Sequence, residues 1–264
     1  MTSDDRAART AGIFFLLTFI SAIAGAVLYA PVLTDPGYVG GPGADVRILL
    51  GVVCEIVLVI TNIGTAIVLF PVLRRHHEAA ALGYVAARIM ECALIVVGML
   101  SMLTVVTLRR SAVEGDGGDS ESYLPVGRAL VALHDWTFLL GPGFVVGIGN
   151  GLLLGFLLYR SGLVPRRMAL LGLIGGPLMS ASGIAVLFGA YGQTSVWSGL
   201  ATLPEIAWEA SLGIYLTFVG FRRKGLEGAG GAEGAEGAEG AEGAEGAEGA
   251  EGAVGTATAS HLAP

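Results

Sequence analysis

Apolar residues fill six long runs of this chain, near 11 to 30, 48 to 73, 82 to 108, 134 to 159, 168 to 191 and 203 to 221. A hydrocarbon core about 30 Å thick needs roughly 20 apolar residues to cross it as a helix. Each run meets that length, so the pattern predicts an all-α polytopic bundle of about six transmembrane helices over residues 1–224. A tail, 225–264, follows. No stretch outside the runs is long enough for a comparable soluble domain.

Composition agrees with the pattern. Hydrophobic residues make up 53% of the chain and charged ones 14%, and the mean hydropathy is +0.71, outside the usual range of a soluble globular domain. The partner this implies is the lipid bilayer. The formal charge is −7, but Glu227 and the seven glutamates from Glu233 to Glu251 contribute −8, leaving +1 on the rest. With no basic patch interleaved with aromatics, nucleic acid is excluded as a partner. The tail itself holds seven Gly-Ala-Glu triplets from Gly231 to Glu251. Glycine at every third position opposes a helix, and the Pro that collagen pairing requires is absent, so the tail is expected to be disordered.

Cationic residues orient the bundle. Arg6, Arg9, Arg74, Arg75, Arg160, Arg166, Arg167, Arg222, Arg223 and Lys224 fall on one side of the six runs, and Arg47, Arg109, Arg110 and Arg128 on the other. The positive-inside rule then puts both termini in the cytoplasm and the loops 31–47, 109–133 and 192–202 outside, in a multi-pass protein of the cell membrane. The long outer loop carries Glu114, Asp116, Asp119 and Glu121 and is either a solvated connector or a collector of cations. The first run contains Ala22-Ile23-Ala24, but its apolar stretch runs on to Ala30, which favours a retained helix over a cleaved signal peptide.

Within the fourth run, Gly143, Gly147, Gly151 and Gly155 recur at four-residue spacing, the pattern of a helix face that packs closely in lipid. Gly141-Pro142-Gly143 and Gly175-Gly176-Pro177 are expected to kink their helices, because Pro lacks a backbone donor. Interrupted helices of this kind line some transport sites.

Charged residues inside spans are costly and therefore the best functional pointers. Arg88 and Glu91 stand three apart and share a face, as a structural ion pair or as a site that binds substrate or handles protons. Glu55 stands alone in its helix, with Asn62 two turns deeper, and its partners by depth are His134, Asp135 and Arg128. Glu205 and Glu209 lie four apart on one face, where neighbouring carboxyls tend to share a proton. An outer cluster of Glu55, His134, Asp135 and Glu209 is the candidate site. Metal and cofactor chemistry have no visible ligand set: His76 and His77 sit in a loop and His261 in the tail, leaving His134 for the membrane. Cys54 and Cys92 fall at different depths, and His134 with Asp135 lacks a neighbouring nucleophile for lipid-directed catalysis.

The run Phe70-Pro71-Val72-Leu73-Arg74-Arg75-His76-His77-Glu78, with Leu82-Gly83-Tyr84 and Arg88-x-x-Glu91 after it, resembles a bacterial membrane family known as domain of unknown function 4386. His134-Asp135-Trp136, Gly141-Pro142-Gly143 and Leu163-Val164-Pro165-Arg166 carry the same resemblance. It implies a multi-helix membrane domain and no particular catalysis. Two functions follow from the residues: a small-solute or proton-coupled transporter, or a non-catalytic membrane component that binds a partner protein or stabilises a complex.

Overall fold

The computed structural model describes residues 2–35, 37–41, 43–114, 120–223 and 225–226. Among these residues there is no strand, and the chain is a helix bundle, as the apolar runs predict. The Gly-Ala-Glu repeats and Asp116 and Asp119 of the acidic loop lie outside the described residues.

Helix α1 spans Ser3–Thr34. Its start is fixed by a capping box in which the Thr2 hydroxyl accepts from Asp5 N–H at 3.2 Å while Thr2 N–H donates to the Asp5 carboxylate at 2.9 Å. Helix α2, Asp45–Glu114, contains the second and third apolar runs and breaks at His77, whose φ of −166° and ψ of 94° are extended. His76 and His77 therefore do not occupy the loop expected of them; they form a helix junction. His77 Nδ1 accepts from Ala80 N–H at 3.1 Å, so the ring caps the second arm as Asn or Asp commonly does. The arms fold back on one another, since Asn62 bonds Glu91 and Asp45 bonds both Arg109 and Arg110.

The fourth run becomes a continuous rod. It begins as α3, Leu124–Leu140, widens into π-helix over Gly141–Val145 and Gly147–Leu154, and ends as α4, Gly155–Ser161. Pro142 cannot donate to the preceding turn, and the glycines around it tolerate the wider i→i+5 winding. The kink expected at Gly141-Pro142-Gly143 is thus a change of helix type. The kink expected at Gly175-Gly176-Pro177 does not interrupt α5, which is one helix over Arg166–Leu187. Helix α6 spans Val196–Phe218.

The helices outrun the apolar stretches that announced them. The connector expected from Arg109 to Leu133 is much shorter, because Arg109 and Arg110 belong to α2 and α3 starts at Leu124. Among the described residues, four helices are long and apolar enough to cross a membrane: α1, α2 over 69 residues, the rod Leu124–Ser161 and α5. Helix α6 falls short in apolarity, since Pro204, Glu205 and Glu209 dilute its run.

Two buried apolar clusters hold the bundle. One gathers Leu69, Leu73, Tyr84, Leu154, Leu158 and Trp208 among others, towards the end where Arg75 pairs with Asp4 at 2.6 Å and Arg222 N–H donates to Leu163 C=O at 2.8 Å. The other gathers Tyr29, Tyr38, Ile48, Met102 and Val105, towards the end where Asp45 meets Arg109 and Arg110. Large apolar side chains such as Ile20, Ile60, Ile67 and Ile174 point outward, while Arg88, Glu91, Asn62 and Glu205 are buried. That inversion suits a lipid surround and not water.

Three of the four expected ridge glycines press against α5. A Cβ on Gly151 would lie 2.8 Å from Gly176 N, and one on Gly155 would lie 3.2 Å from Leu173 N. Gly147 meets Gly176 in the same way. Gly143 is not pressed in this way: a Cβ there would meet only Phe138 and Leu139 of its own rod, though its carbonyl faces Gly183 of α5. Gly176→Ala is therefore expected to cost about 1–3 kcal/mol through overpacking. Gly192→Ala, where an added Cβ meets nothing within 4 Å, should change stability by less than about 0.5 kcal/mol. Thermal unfolding of both variants in detergent checks the contrast.

The Asp45 end carries its own pH signature. Hydrogen bonding from Arg109, with a further contribution from Arg110, holds the Asp45 carboxyl below its usual range. A carboxyl depressed in the folded state stabilises fully above its unfolded value and loses that contribution as pH falls through the folded one. Wild-type stability should decline below about pH 4, and Asp45→Asn should be less stable at neutral pH with a shallower acid decline; equal slopes in acid titrations of the two proteins would contradict this.

Candidate functional site

Between the two apolar clusters, α1, both arms of α2, the rod and α6 each contribute a polar group to one assembly. Arg88 Nη1 donates to Glu91 Oε2 at 2.7 Å, and the two side chains are 2% and 5% exposed. This is the ion pair that the three-residue spacing anticipated. The Arg88 guanidinium also lies over the rings of Phe15, at 5.7 Å, and Tyr84, at 5.8 Å, contacts that suit a poorly hydrated cation.

The second oxygen of Glu91 is satisfied from the first arm of α2, where Asn62 Nδ2 donates to it at 2.7 Å. Asn62 Oδ1 accepts in turn from Thr18 of α1 at 3.3 Å, and Thr18 and Thr61 share a hydroxyl hydrogen bond of 2.7 Å. Asn62 thus belongs to Glu91 and not to the neighbourhood of Glu55.

Helix α6 supplies the remaining charges. Glu209 Oε1 accepts from Asn150 Nδ2 in the π-helical segment, and Trp208 Nε1 donates to the Asn150 carbonyl at 3.1 Å. Arg88, Glu91 and Glu205 are the titratable groups that face Glu209. Glu205 is 2% exposed, and neither of its carboxyl oxygens has a hydrogen-bond partner among the described residues. Arg88 Nη2 and Asn150 Oδ1 are also buried without partners. Glycine backbone makes room here: a Cβ on Gly151 or Gly175 would stand 2.8 or 2.9 Å from Glu205 Oε2.

A second, smaller polar group lies nearer the Asp45 end. Tyr29 OH donates to Glu55 Oε2 at 2.8 Å, and the Tyr29 ring meets His134 edge to face at 5.4 Å. Glu55, Gly98, His134, Thr137 and Pro142 line a narrow cleft between the two arms of α2 and the rod. His134 is buried and its Nδ1 has no hydrogen-bond partner; the nearest carboxylate oxygen is Asp135 Oδ1, at 3.8 Å. Asp135 itself is 56% exposed and opens onto a cavity of about 240 Å³ with Asp35, Tyr38 and Arg128 on its wall.

The candidate cluster of Glu55, His134, Asp135 and Glu209 is therefore divided. Glu55 and His134 lie together, Asp135 lies at the cavity above them, and Glu209 joins Arg88 and Glu91. Among the described residues no group of three His, Cys, Asp or Glu side chains is arranged to hold a metal ion.

Residues 10–220 match the family model described as Domain of unknown function (DUF4386). The chain belongs to this family. The matched DUF4386 region contains every residue of both polar groups, from Phe15 to Glu209. No curated protein and no solved structure matches the chain.

Asn150 is a member of the larger polar group that the sequence pattern did not single out. It sits within a glycine run read as packing surface, and the only polar side chain in that run was the available signal. Thr18 and Thr61 were missed because threonine hydroxyls in apolar helices commonly bond their own backbone, as Thr61 also does to Val57 C=O at 2.9 Å, and Tyr29 because an aromatic ring in an apolar run reads as packing.

The ion pair sets a clear thermodynamic expectation. Arg88→Met and Glu91→Leu should each lose about 3–5 kcal/mol, because each leaves a buried charge uncompensated. The double variant should recover much of that loss, a coupling a double-mutant cycle of unfolding in detergent measures. Additive losses would mean that the pair is not the compensating contact.

Proposed function

We propose that this protein crosses the cell membrane six times, with both termini in the cytoplasm, and moves a small solute in exchange for protons at the Arg88 cluster. The distribution of cations supports the orientation: Arg6, Arg75, Arg160, Arg166 and Arg222 gather at the Arg75 end, against Arg47, Arg109, Arg110 and Arg128 at the other. The break at His77 supports two crossings by α2, and the contacts of α6 with α1 and α5 support its place in the same layer.

One observation carries the transport reading. A single guanidinium faces three carboxyls, of which Glu91 and Glu205 are buried and Glu209 partly so. Arg88 and Glu91 neutralise each other, which leaves two carboxyls without a counter-charge. Buried charges in lipid are paired or neutralised, so these two carboxyls hold protons or attract a cation. A site whose charge is settled by what occupies it can couple proton release to ligand binding. A purely structural bridge requires only Arg88 and Glu91.

The test is flux. In vesicles reconstituted with purified protein and screened against small solutes, an imposed pH gradient should drive uptake of at least one solute. Glu91→Gln and Glu209→Gln should each reduce it at least about tenfold, the size of effect expected when a hydrogen bond to a charged group is lost. Flux in both variants equal to wild type would remove these residues from the machinery, and no flux for any solute would favour a partner-binding component.

A further inference from the structure

We propose that the solute is a small primary amine, bound as its ammonium ion by Glu205 and Asn150 in place of a proton. This rests on the transport reading of the same cluster and adds the class of its ligand.

Three buried acceptors lack donors: both carboxyl oxygens of Glu205 and Oδ1 of Asn150. Both residues sit at one contact of the rod with α6: Asn150 Nδ2 donates to Glu209, one turn along α6 from Glu205, and a Cβ on Gly151 would stand 2.8 Å from Glu205 Oε2. A primary ammonium brings three N–H donors and no acceptor, which matches that deficit in number and in charge. The unpartnered Arg88 Nη2 argues less for an anion, because Glu91 already compensates the guanidinium and the charge left over is negative. Bare glycine backbone at 151 and 175 encloses Glu205 closely, so the head group must be compact.

The way in has the same character. Asp35 and Asp135 line the cavity at the Asp45 end, with Arg128 as its basic residue, and Glu55 follows beneath it beside His134. Tyr29, His134 and Phe138 add aromatic surface to that path, on which small cations are held by ring quadrupoles.

The exchange balances. The O–H bond of a protonated Glu205 breaks, its proton leaves to water, and the arriving R–NH₃⁺ donates N–H bonds to the carboxylate. One positive charge enters as one leaves, and no electrons are transferred. The titratable groups that face Glu205 are Glu209 on its own helix and Arg88 and Glu91 on α2, while α5 and the π-helical segment present glycine backbone to it.

Calorimetric titration of the full-length protein in detergent tests this without a transport assay. The probes are ethylammonium, tetramethylammonium and sodium acetate, each in two buffers of different ionisation enthalpy. Ethylammonium should bind saturably with a proton released for each amine bound. Tetramethylammonium, which has the charge but no N–H donor, should bind at least about tenfold more weakly. Glu205→Gln should lose proton release and weaken ethylammonium by a similar factor, with its thermal midpoint checked against wild type; Asn150→Leu gives a second reading should Glu205→Gln not fold. Equal binding of the two cations, binding of acetate alone, or binding of none of the three overturns the amine assignment. Acetate binding would do so while leaving transport at the cluster intact, whereas the transport reading falls separately, on the vesicle assay.

Discussion

Burying the Arg88 guanidinium is the constraint around which the bundle is arranged. A cation buried this deeply is tolerated only where the protein replaces the water it has lost. Glu91 supplies charge, Phe15 and Tyr84 supply ring faces, and Glu209 lies within electrostatic reach. Those groups come from α1, α2 and α6, so compensation of one charge fixes the relative placement of three helices. Glu91 extends the demand to the first arm of α2 through Asn62. The polar chain therefore pins the hairpin of α2 as firmly as the apolar clusters on either side of it.

Close packing of the rod on α5 serves the same assembly. Glycines at 147, 151 and 155 let the backbones approach until Gly151 and Gly176 leave no room for a side chain. The π-helical winding between Gly141 and Leu154 carries Asn150 into the cluster, where its side chain reaches Glu209 and its carbonyl receives Trp208. Wide helical turns often mark functional sites because they exchange ideal backbone pairing for the placement of a particular group. Here that group is an amide with one end satisfied and one end open.

Much of the fold was legible because hydrophobic period and length are local signals. The six runs, the Arg88–Glu91 pair and the packing role of Gly147, Gly151 and Gly155 all follow from spacing along one helix. Helix ends were less legible, because Arg109 and Arg110 are polar yet helical, held in α2 by Asp45 from 64 and 65 residues away. The division of the acidic residues into two groups was not legible at all. Glu55 and Glu209 can be ranked by depth from sequence, but which neighbour each one faces depends on helix rotation. Rotation is set by tertiary contacts such as Tyr29 with Glu55 and Asn150 with Glu209. Asn62 illustrates the point, since its place two turns below Glu55 did not disclose that it bonds Glu91.

The two ends of the bundle differ in a way that bears on how such a site would work. Towards the Asp45 end, the cavity at Asp135 and the cleft at His134 and Glu55 form polar steps that descend towards Asn62 and Glu91. Towards the Arg75 end, Tyr84, Leu69, Leu154 and Leu158 are fully buried and seal the cluster with apolar side chains. On the transport reading, this conformation is closed to the cytoplasm, and cargo release requires those four residues to separate. They reside on both arms of α2 and on the rod, whose irregular points, His77 and the π-helical segment, lie beside the seal and within the site. Each already departs from α-helical pairing, so motion there breaks fewer backbone hydrogen bonds than bending a regular helix. On that reading, neutralising the surplus carboxyls lowers the cost of keeping them buried, which ties the opening of the seal to what Glu205 and Glu209 hold.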